Sequence, residues 1–276
     1  MYNILTEPLR VEHLKIAIAD LPKHLEGTKL VQLTDFHYEG KSLSDKLLKE
    51  AIAATNEAEP DLILLTGDYV TNNPTAIYNL LPWLKQLQSR AGIYAVLGNH
   101  DLKYPHSKAI ITTALTNIGI RVLWNEIVYP LGDELALVGL PDFFARAFNP
   151  AAVMSQLDET LPRIVLSHNP DSAEKLQPWR VDLQLSGHTH GGQIILPKIG
   201  PLPAQIKKFL QHISIPYLEA NCYKVTKHWE WVSGLHQLGR NLLYVSRGLG
   251  SYFPGRLFCP PEVTVITLLT YSPALS

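Results

Sequence analysis

The sequence is poor in cysteine, with only Cys222 and Cys259 among its 276 residues. Two thiols so far apart cannot build the disulfide framework of a small secreted domain, and they exclude a cysteine-based structural zinc site. We therefore expect two reduced thiols and a cytoplasmic setting, and peripheral attachment to the inner face of the membrane stays open as an alternative.

Long apolar runs and an excess of charge are also missing. Charged residues or prolines interrupt each apolar stretch before it reaches the about 20 residues that a membrane-spanning helix needs. Residues 1–20 lack a basic segment followed by a continuous apolar run, so no secretory signal is expected. The formal net charge is −1. Because no overall positive field attracts polyanions, we expect no nucleic-acid partner.

The chain does have enough apolar residues, at 46%, to fill one large core. Short apolar runs predict strands over residues 9–18, 29–34, 61–66, 92–97, 121–129, 134–139, 162–166, 181–185, 241–246 and 263–269. Helical spacing falls between them, over residues 44–58, 74–88, 105–117, 149–161 and 171–177. This alternation predicts an α/β fold with a layered core, in one domain over residues 1–276 with a less regular insertion at about 197–240.

Polar side chains follow five of the predicted strands directly. They are Asp35 and His37, then Asp68, then Asn99, His100 and Asp101, then His168, and finally His188 and His190. Ligand sites of α/β sheets lie beyond the carboxyl ends of the strands, so these side chains are expected to converge. Glycines at 67, 98, 187, 191 and 192 suit tight turns and close backbone approach there. Oxygen and imidazole ligands without thiolate suit manganese, iron, zinc or nickel.

Each of these segments has a simpler explanation when it is taken alone. Asp35 and His37 could be an exposed strand end, and Asn99 could begin a capped helix. A lone His168 is most often a hydrogen-bonded histidine without a special role. Five such coincidences at five strand ends are improbable, so together the segments predict a metal site with catalytic potential.

The ordered segments also resemble a known family. Asp35-x-His37, Gly67-Asp68, Gly98-Asn99-His100-Asp101, Ser167-His168 and Gly187-His188-Thr189-His190 resemble the motifs of the calcineurin-like metallophosphoesterases. The longer segments at residues 187–193 and 244–250 are similar to a bacterial branch of membrane-associated phosphodiesterases and UDP-2,3-diacylglucosamine pyrophosphatases. The resemblance implies a four-layer αββα sandwich that holds two divalent metal ions (Mn, Fe, Zn or Ni).

The same resemblance implies how the ligands are shared and what the site does. One ion would take Asp35, His37, Asp68 and His190, and the other Asp68, Asn99, His168 and His188, with Asp68 as the bridge. A metal-bridging hydroxide would attack a phosphodiester or pyrophosphate bond. His100 would be the catalytic histidine, which stabilises the transition state or protonates the leaving oxygen. Asp101 would orient His100, although capping a helix start is an equally good role for it.

Two arginines are candidate phosphate contacts, because guanidinium groups pair well with phosphate. Arg247 follows a predicted strand and is expected to contact the substrate. For Arg256 we expect a salt-bridged surface residue instead.

The substrate is a phosphate ester whose organic part is less well defined by the sequence. Residues 206–218 mix apolar and basic residues, which is compatible with peripheral membrane or lipid contact and equally with an apolar seam packed on the sandwich. We expect a lipid-linked or nucleotide-lipid substrate. The alternatives are a phosphatase that acts on monoesters of proteins or small molecules, a nuclease, and a non-catalytic scaffold. The scaffold is disfavoured because the chain keeps every metal-ligand position and the catalytic histidine of the family.

Overall fold

The computed structural model describes residues 5–40, 42–206 and 225–271. Within these ranges the chain forms two six-stranded sheets and a short strand pair. The first sheet has the order β1 (Arg10–Ile18), β14 (Glu262–Thr270), β2 (Lys29–Leu33), β3 (Leu62–Leu65), β4 (Ile93–Ala95), β5 (Ile120–Val122). The second sheet has the order β12 (Gly234–Leu238), β13 (Asn241–Val245), β9 (Leu183–Ser186), β8 (Arg163–Leu166), β7 (Ala136–Gly139), β6 (Glu126–Val128). The short pair is β10 (Ile195–Leu196) with β11 (Gly200–Pro201).

The direction of the strands decides where their polar tails end. In the first sheet β2, β3, β4 and β5 run parallel. In the second sheet β7, β8, β9 and β13 run parallel. Because parallel neighbours share the edge at which they end, each sheet delivers the residues that follow these strands to one edge.

The sheets pack face to face through alternate residues of their central strands. Leu30 and Leu64 of the first sheet pack in one buried cluster with Leu166 and Leu185 of the second. The other face of the first sheet is covered by α1 (Asp45–Glu57), α2 (Ile77–Leu84) and α3 (Ser107–Thr116). The other face of the second sheet is covered by α4 (Ala151–Met154) and α5 (Ser172–Leu176). This is the predicted αββα sandwich, and strands covered on both faces explain the continuous apolar run of residues 62–65.

The first helix begins as its sequence predicts. Ser44 precedes α1, and its hydroxyl accepts a hydrogen bond from the backbone N–H of Leu47 at 3.2 Å. This satisfies one of the N–H groups that a helix start leaves without an intrahelical partner.

Several predicted elements are shorter than expected, such as the helix predicted at residues 74–88, which is α2 preceded by a 3-10 turn, and two differ most in extent. The run at residues 121–129 is not one strand, because Asn125 adopts a positive φ of 48° and the chain passes from β5 in the first sheet to β6 in the second. The helix predicted at residues 149–161 is only the short α4. The cause is a turn that follows directly, in which Gln156 and Leu157 donate to carbonyls three residues earlier.

Some predictions fall partly or wholly outside the described residues. The predicted insertion is described only at residues 197–206 and 225–240, and of the segment 206–218 only Ile206 is described. Cys222 also lies outside, whereas Cys259 is a free and buried thiol. Among the helices of the described ranges, none has the length and apolar character to cross a membrane.

Candidate metal centre

The strand-end side chains predicted from the sequence converge where the two sheets end. Two glycines permit this close approach. A Cβ atom on Gly98 would lie 2.2 Å from Oδ1 of Asp68, and one on Gly187 would lie 2.3 Å from Oδ2 of Asp35. Real Cβ atoms do not approach other atoms so closely, so a side chain at either position would displace a carboxylate.

Asp35, His37 and His190 form what we call the first donor group. Nε2 of His37 lies 3.1 Å from Nε2 of His190, and Oδ1 of Asp35 lies 3.5 Å from Nε2 of His190. All three residues are buried. Ligands that bind one ion at about 2.0–2.2 Å lie about 3–3.5 Å from one another, so these atoms suit a shared cation.

Asp68, His168 and His188 form the second donor group. Nε2 of His168 lies 3.2 Å from Oδ2 of Asp68 and 3.2 Å from Nδ1 of His188. The same Oδ2 of Asp68 is 3.5 Å from Nε2 of His37 in the first donor group. One carboxylate oxygen therefore borders both groups.

Asn99 lies beside the second donor group and lines the same cavity as Asp68 and His188. Its carboxamide Oδ1 is buried and has no hydrogen-bond partner among the described residues. A buried acceptor without a partner costs free energy unless another ligand satisfies it. The oxygen fits a cation, so the structure brings all seven predicted metal-ligand positions together.

Backbone carbonyls determine which nitrogen of each histidine is available to a metal. Nδ1 of His168 donates to the carbonyl of Thr66 at 2.7 Å, and Nδ1 of His190 donates to that of Gly250 at 3.0 Å. His188 is reversed, because its Nε2 donates to the carbonyl of Val225 at 2.5 Å. A carbonyl only accepts, so in the neutral form of each ring the opposite nitrogen has the lone pair, and that nitrogen faces the donor group.

Burial and mutual interactions shift the pKa values of the metal-free groups in different directions. Burial lowers the pKa of His37 to about 3 and that of His188 to about 4. Burial would also lower the pKa of His168, but the Asp68 carboxylate beside it outweighs this and raises the pKa to about 10. Burial raises the pKa of Asp35 to about 6. At neutral pH the second donor group therefore holds a proton on His168, whereas His37 and His188 are neutral.

His100 reaches the site, but Asp101 does not orient it. Nδ1 of His100 is 2.7 Å from the carbonyl of Thr71, which takes the place predicted for Asp101. The Asp101 carboxylate instead accepts backbone N–H groups of Gly98 at 2.9 Å, Asp68 at 2.8 Å and Tyr69 at 2.9 Å. The predicted role of Asp101 is therefore wrong in this respect: it ties the loop after β4 to the loop that carries Asp68.

The comparison with protein families agrees with this geometry. The model of the calcineurin-like phosphoesterases matches residues 28–192, which hold both donor groups. The chain belongs to this family. It is therefore a metal-dependent hydrolase that acts on phosphoric esters.

Relatives of this phosphoesterase cover nearly the whole chain. It is 34% identical to metallophosphoesterase YkuE of Bacillus subtilis over 90% of this chain and 81% of that protein. It is 33% identical to phosphodiesterase YaeI of Escherichia coli over 95% of this chain and 90% of that protein. It is 30% identical to the UDP-2,3-diacylglucosamine pyrophosphatase LpxG of Chlamydia muridarum, over 92% of this chain and 88% of that protein.

In the structure of the phosphoesterase, Arg247 pairs with two carboxylates. Its Nη2 lies 2.7 Å from Oε1 of Glu12, and its Nε lies 2.8 Å from Oε2 of Glu262. Arg247 is not among the described residues that line the cavity over the donor groups. Two carboxylates therefore hold the guanidinium in place, and the structure gives the predicted phosphate contact no support.

Arg256 is buried rather than at the surface, which corrects the second arginine prediction. Its Nη2 donates to the carbonyls of Arg247 at 2.7 Å and Gly250 at 2.6 Å, and its Nη1 to the carbonyl of His190 at 3.2 Å. The carbonyl of Gly250 is the one that accepts from the His190 ring. Arg256 thus fixes the backbone that orients a ligand, a role that no local sequence pattern indicates.

A cavity of about 410 Å³ opens over the donor groups. Its lining residues are Asp68, Asn99, His100, His188, Thr189, His190, Gly192, Gln193, Pro203, Val225, Trp229 and Tyr252. Tyr252 is a site residue that the strand-end pattern does not predict. Its position in the sequence could have indicated this role. The aromatic residues 252–253 follow a glycine-rich loop that begins where β13 ends, and β13 pairs with β9, the strand that precedes His188 and His190.

The ligand-bearing loops have an unusual backbone. Left-handed φ values occur at Asp35 (55°), His37 (44°), Asp68 (55°), His188 (73°) and His190 (52°). Non-glycine residues rarely adopt this region, although aspartate and histidine do so more often than most. The tight turns after the strands therefore aim the ligands inward at some cost in backbone strain.

Proposed function

We propose that this phosphoesterase hydrolyses phosphodiester or pyrophosphate bonds at two divalent ions that share Asp68. The observation that carries the proposal is the position of Oδ2 of Asp68, at 3.5 Å from Nε2 of His37 and 3.2 Å from Nε2 of His168. A carboxylate between two imidazole groups supports a bridging role. In this assignment Asp35, His37 and His190 complete one ligand set, and Asn99, His168 and His188 complete the other.

The bound ions would neutralise the phosphoryl oxygens and activate a water molecule at neutral pH. The chain's own groups prepare this chemistry. Asn99 contributes a neutral oxygen in place of a carboxylate, which leaves the site more positive and favours an anionic substrate. The hydrogen bonds from His168, His188 and His190 to backbone carbonyls hold their rings in the orientation that ligation needs.

His100 is the group we assign to proton transfer. Its Nδ1–H is held by the Thr71 carbonyl, so Nε2 is the nitrogen that exchanges a proton. His100 lines the cavity beside Asp68 and Asn99, where a phosphate would be seated. In this assignment Nε2 of His100 carries the proton that the leaving oxygen receives.

The cavity wall supports a substrate whose phosphate carries an organic group. Pro203, Val225, Trp229 and Tyr252 give the cavity an apolar side next to the polar floor. The likeness to phosphodiesterase YaeI and to the pyrophosphatase LpxG supports a diester or pyrophosphate, and the latter supports a lipid-linked or nucleotide-lipid compound. A phosphomonoesterase remains the alternative.

A substrate panel tests the bond type. Manganese-loaded enzyme is given bis(p-nitrophenyl) phosphate, p-nitrophenyl phosphate, UDP-2,3-diacylglucosamine and UDP-N-acetylglucosamine. We expect turnover of the diester above that of the monoester, and of the acylated nucleotide sugar above that of its unacylated control. Turnover of the monoester alone would replace the proposal by a phosphomonoesterase, and equal turnover of the two nucleotide sugars would remove the lipid preference.

A pair of histidine variants tests the assigned chemistry. His100→Ala should keep its bound manganese and lose roughly a hundredfold to ten-thousandfold in kcat, as expected when a proton-transfer group is removed. His106→Ala is the matched control, because His106 is exposed and its side chain caps nothing. Full activity of His100→Ala would exclude His100 from the mechanism.

A further inference from the structure

The hydroxyl of Tyr252 lies against the imidazole that we assign to proton transfer. Its oxygen is 3.1 Å from Nε2 of His100. It also lies 3.2 Å and 3.3 Å from the two ring nitrogens of His37. Such nearly equal distances do not direct the hydroxyl at either nitrogen of the His37 ring. The hydroxyl of Tyr252 thus lies between the two rings, and its shortest contact is with Nε2 of His100.

The two contacts of His100 hold opposite sides of its ring. The carbonyl of Thr71 accepts from Nδ1 at 2.7 Å, and the Tyr252 hydroxyl meets Nε2. The backbone N–H of His100 donates to Oδ1 of Asp68 at 2.9 Å, which ties the residue to the ligand shared by both donor groups. With one contact alone the ring could still tilt about the remaining hydrogen bond. With both contacts its plane and its position are fixed.

Tyr252 is itself held firmly enough to act as a support. The side-chain amide of Gln193 makes two hydrogen bonds to the backbone of Tyr252. Its Oε1 accepts from the Tyr252 N–H at 2.6 Å, and its Nε2 donates to the Tyr252 carbonyl at 3.4 Å. Its ring packs against those of His37 and His190, with centroids 4.9 Å and 5.2 Å away. The phenol is therefore fixed by contacts that do not involve its hydroxyl.

We propose that Tyr252 is a positioning residue that holds Nε2 of His100 at the cavity wall for proton transfer to the leaving oxygen. The inference rests on the proposed hydrolase function and adds a residue to it. The phenol oxygen can accept from Nε2–H of His100 and donate its own proton to a phosphate oxygen, and the Nε2 proton then passes from this contact to the leaving oxygen as the ester bond breaks. A misplaced imidazole slows the chemical step and leaves substrate binding unchanged.

The test removes the hydroxyl and keeps the ring. Tyr252→Phe should lower kcat for bis(p-nitrophenyl) phosphate by about tenfold or more, with KM and bound manganese unchanged. In a His100→Ala background the same change should lower kcat by less than about twofold, because the group through which Tyr252 acts is gone. Tyr129→Phe is the control, at a tyrosine that is 45% exposed and outside the cavity lining.

Four results would overturn the inference: unchanged kcat in Tyr252→Phe, a gain in kcat, loss of manganese, or an equal loss of kcat with and without His100.

A second measurement does not depend on activity. In the zinc-loaded protein, the ¹⁵N resonance of Nε2 of His100 should move in Tyr252→Phe and stay in place in Tyr129→Phe. If the wild-type enzyme turns over none of the esters, the proposed function fails. In that case the shift of the ¹⁵N resonance alone tests whether Tyr252 contacts His100.

Discussion

Two regions of the chain build the metal centre in different ways. The region that the family model matches, residues 28–192, supplies every proposed metal ligand and His100. The segment at residues 247–259, which we call the supporting tail, supplies no proposed ligand. It contributes the Arg256 guanidinium, the Gly250 carbonyl and the Tyr252 hydroxyl, each in contact with a residue of the first region.

The difference shows why one region can be identified from sequence and the other cannot. Few side chains can bind a metal, so ligands leave a recognisable pattern of aspartate, asparagine and histidine. Support through a backbone carbonyl leaves no such pattern, because any residue has one. The following experiments compare the two regions, from the largest expected effect to the smallest.

Loss of the shared ligand should have the largest effect. Asp68→Ala removes the carboxylate that borders both donor groups, so we expect less than one ion per chain and a fall in kcat of about a thousandfold or more. Asp35→Ala removes a proposed ligand from the first donor group alone, although its carboxylate also accepts the backbone N–H of His188, and it should keep one ion. Metal analysis after dialysis, together with turnover, measures both. Two ions in Asp68→Ala would show that the donor groups are independent.

Loss of a support should affect one donor group. Arg256→Met leaves the carbonyls around His190 without their donor, so the affinity of the first donor group for manganese should fall about tenfold to a hundredfold. Competition with a chelator resolves the two sites, and the second should be unchanged. An equal fall at both sites would mean that Arg256 acts on the whole fold. Arg247→Met is the matched control in the same loop.

Metal binding should depend on pH because the second donor group must lose a proton. The pKa of His168 is raised to about 10, so its ring is protonated below that pH and competes with the metal. The competition weakens as pH rises, so the apparent affinity of the second donor group should rise about tenfold per pH unit around neutrality. Calorimetry of Asp35→Ala in buffers of different ionisation enthalpy should show about one proton released per ion. No proton release would contradict the charged state of His168.

The smallest effect on turnover is expected for the tail residue that supports no ligand. Arg247→Met breaks the ion pairs with Glu12 and Glu262, which should cost about 1–3 kcal/mol of unfolding free energy, because the pairs are partly buried. Turnover should stay within about twofold of the wild type, since the side chain is held away from the cavity. Denaturant unfolding and steady-state kinetics measure the two effects. A large rise in KM would restore the predicted phosphate contact.

The sequence predicted the layers, the strand ends and the side chains that gather there. It did so because buried parallel strands are short apolar runs and the groups that follow them are chemically distinctive. It could not predict that His188 presents Nδ1 whereas His168 presents Nε2, since the choice depends on carbonyls at Val225 and Thr66, both distant in sequence. The single strand predicted at residues 121–129 was wrong for a related reason. Alternation of apolar and polar residues does not show that the first half joins one sheet and the second half the other.

The role of Asp101 shows the limit of local reasoning. The family resemblance implied that Asp101 orients His100, and here the chain turns so that the carboxylate meets three backbone N–H groups instead. The Arg256 side chain was assigned to the surface because buried arginines are rare. Its burial is tolerated because carbonyl oxygens surround the guanidinium.

The left-handed backbone at Asp35, His37, Asp68, His188 and His190 would make the abundance of the protein depend on the metal supply of the cell. At roughly 1 kcal/mol for each such residue, the five together amount to a sizeable share of the about 5–15 kcal/mol by which folded proteins are stable. Ions that bind only the folded chain offset this strain by mass action. A cell short of metal would then lose more than turnover, because the metal-free chain unfolds more often and is open to proteolysis.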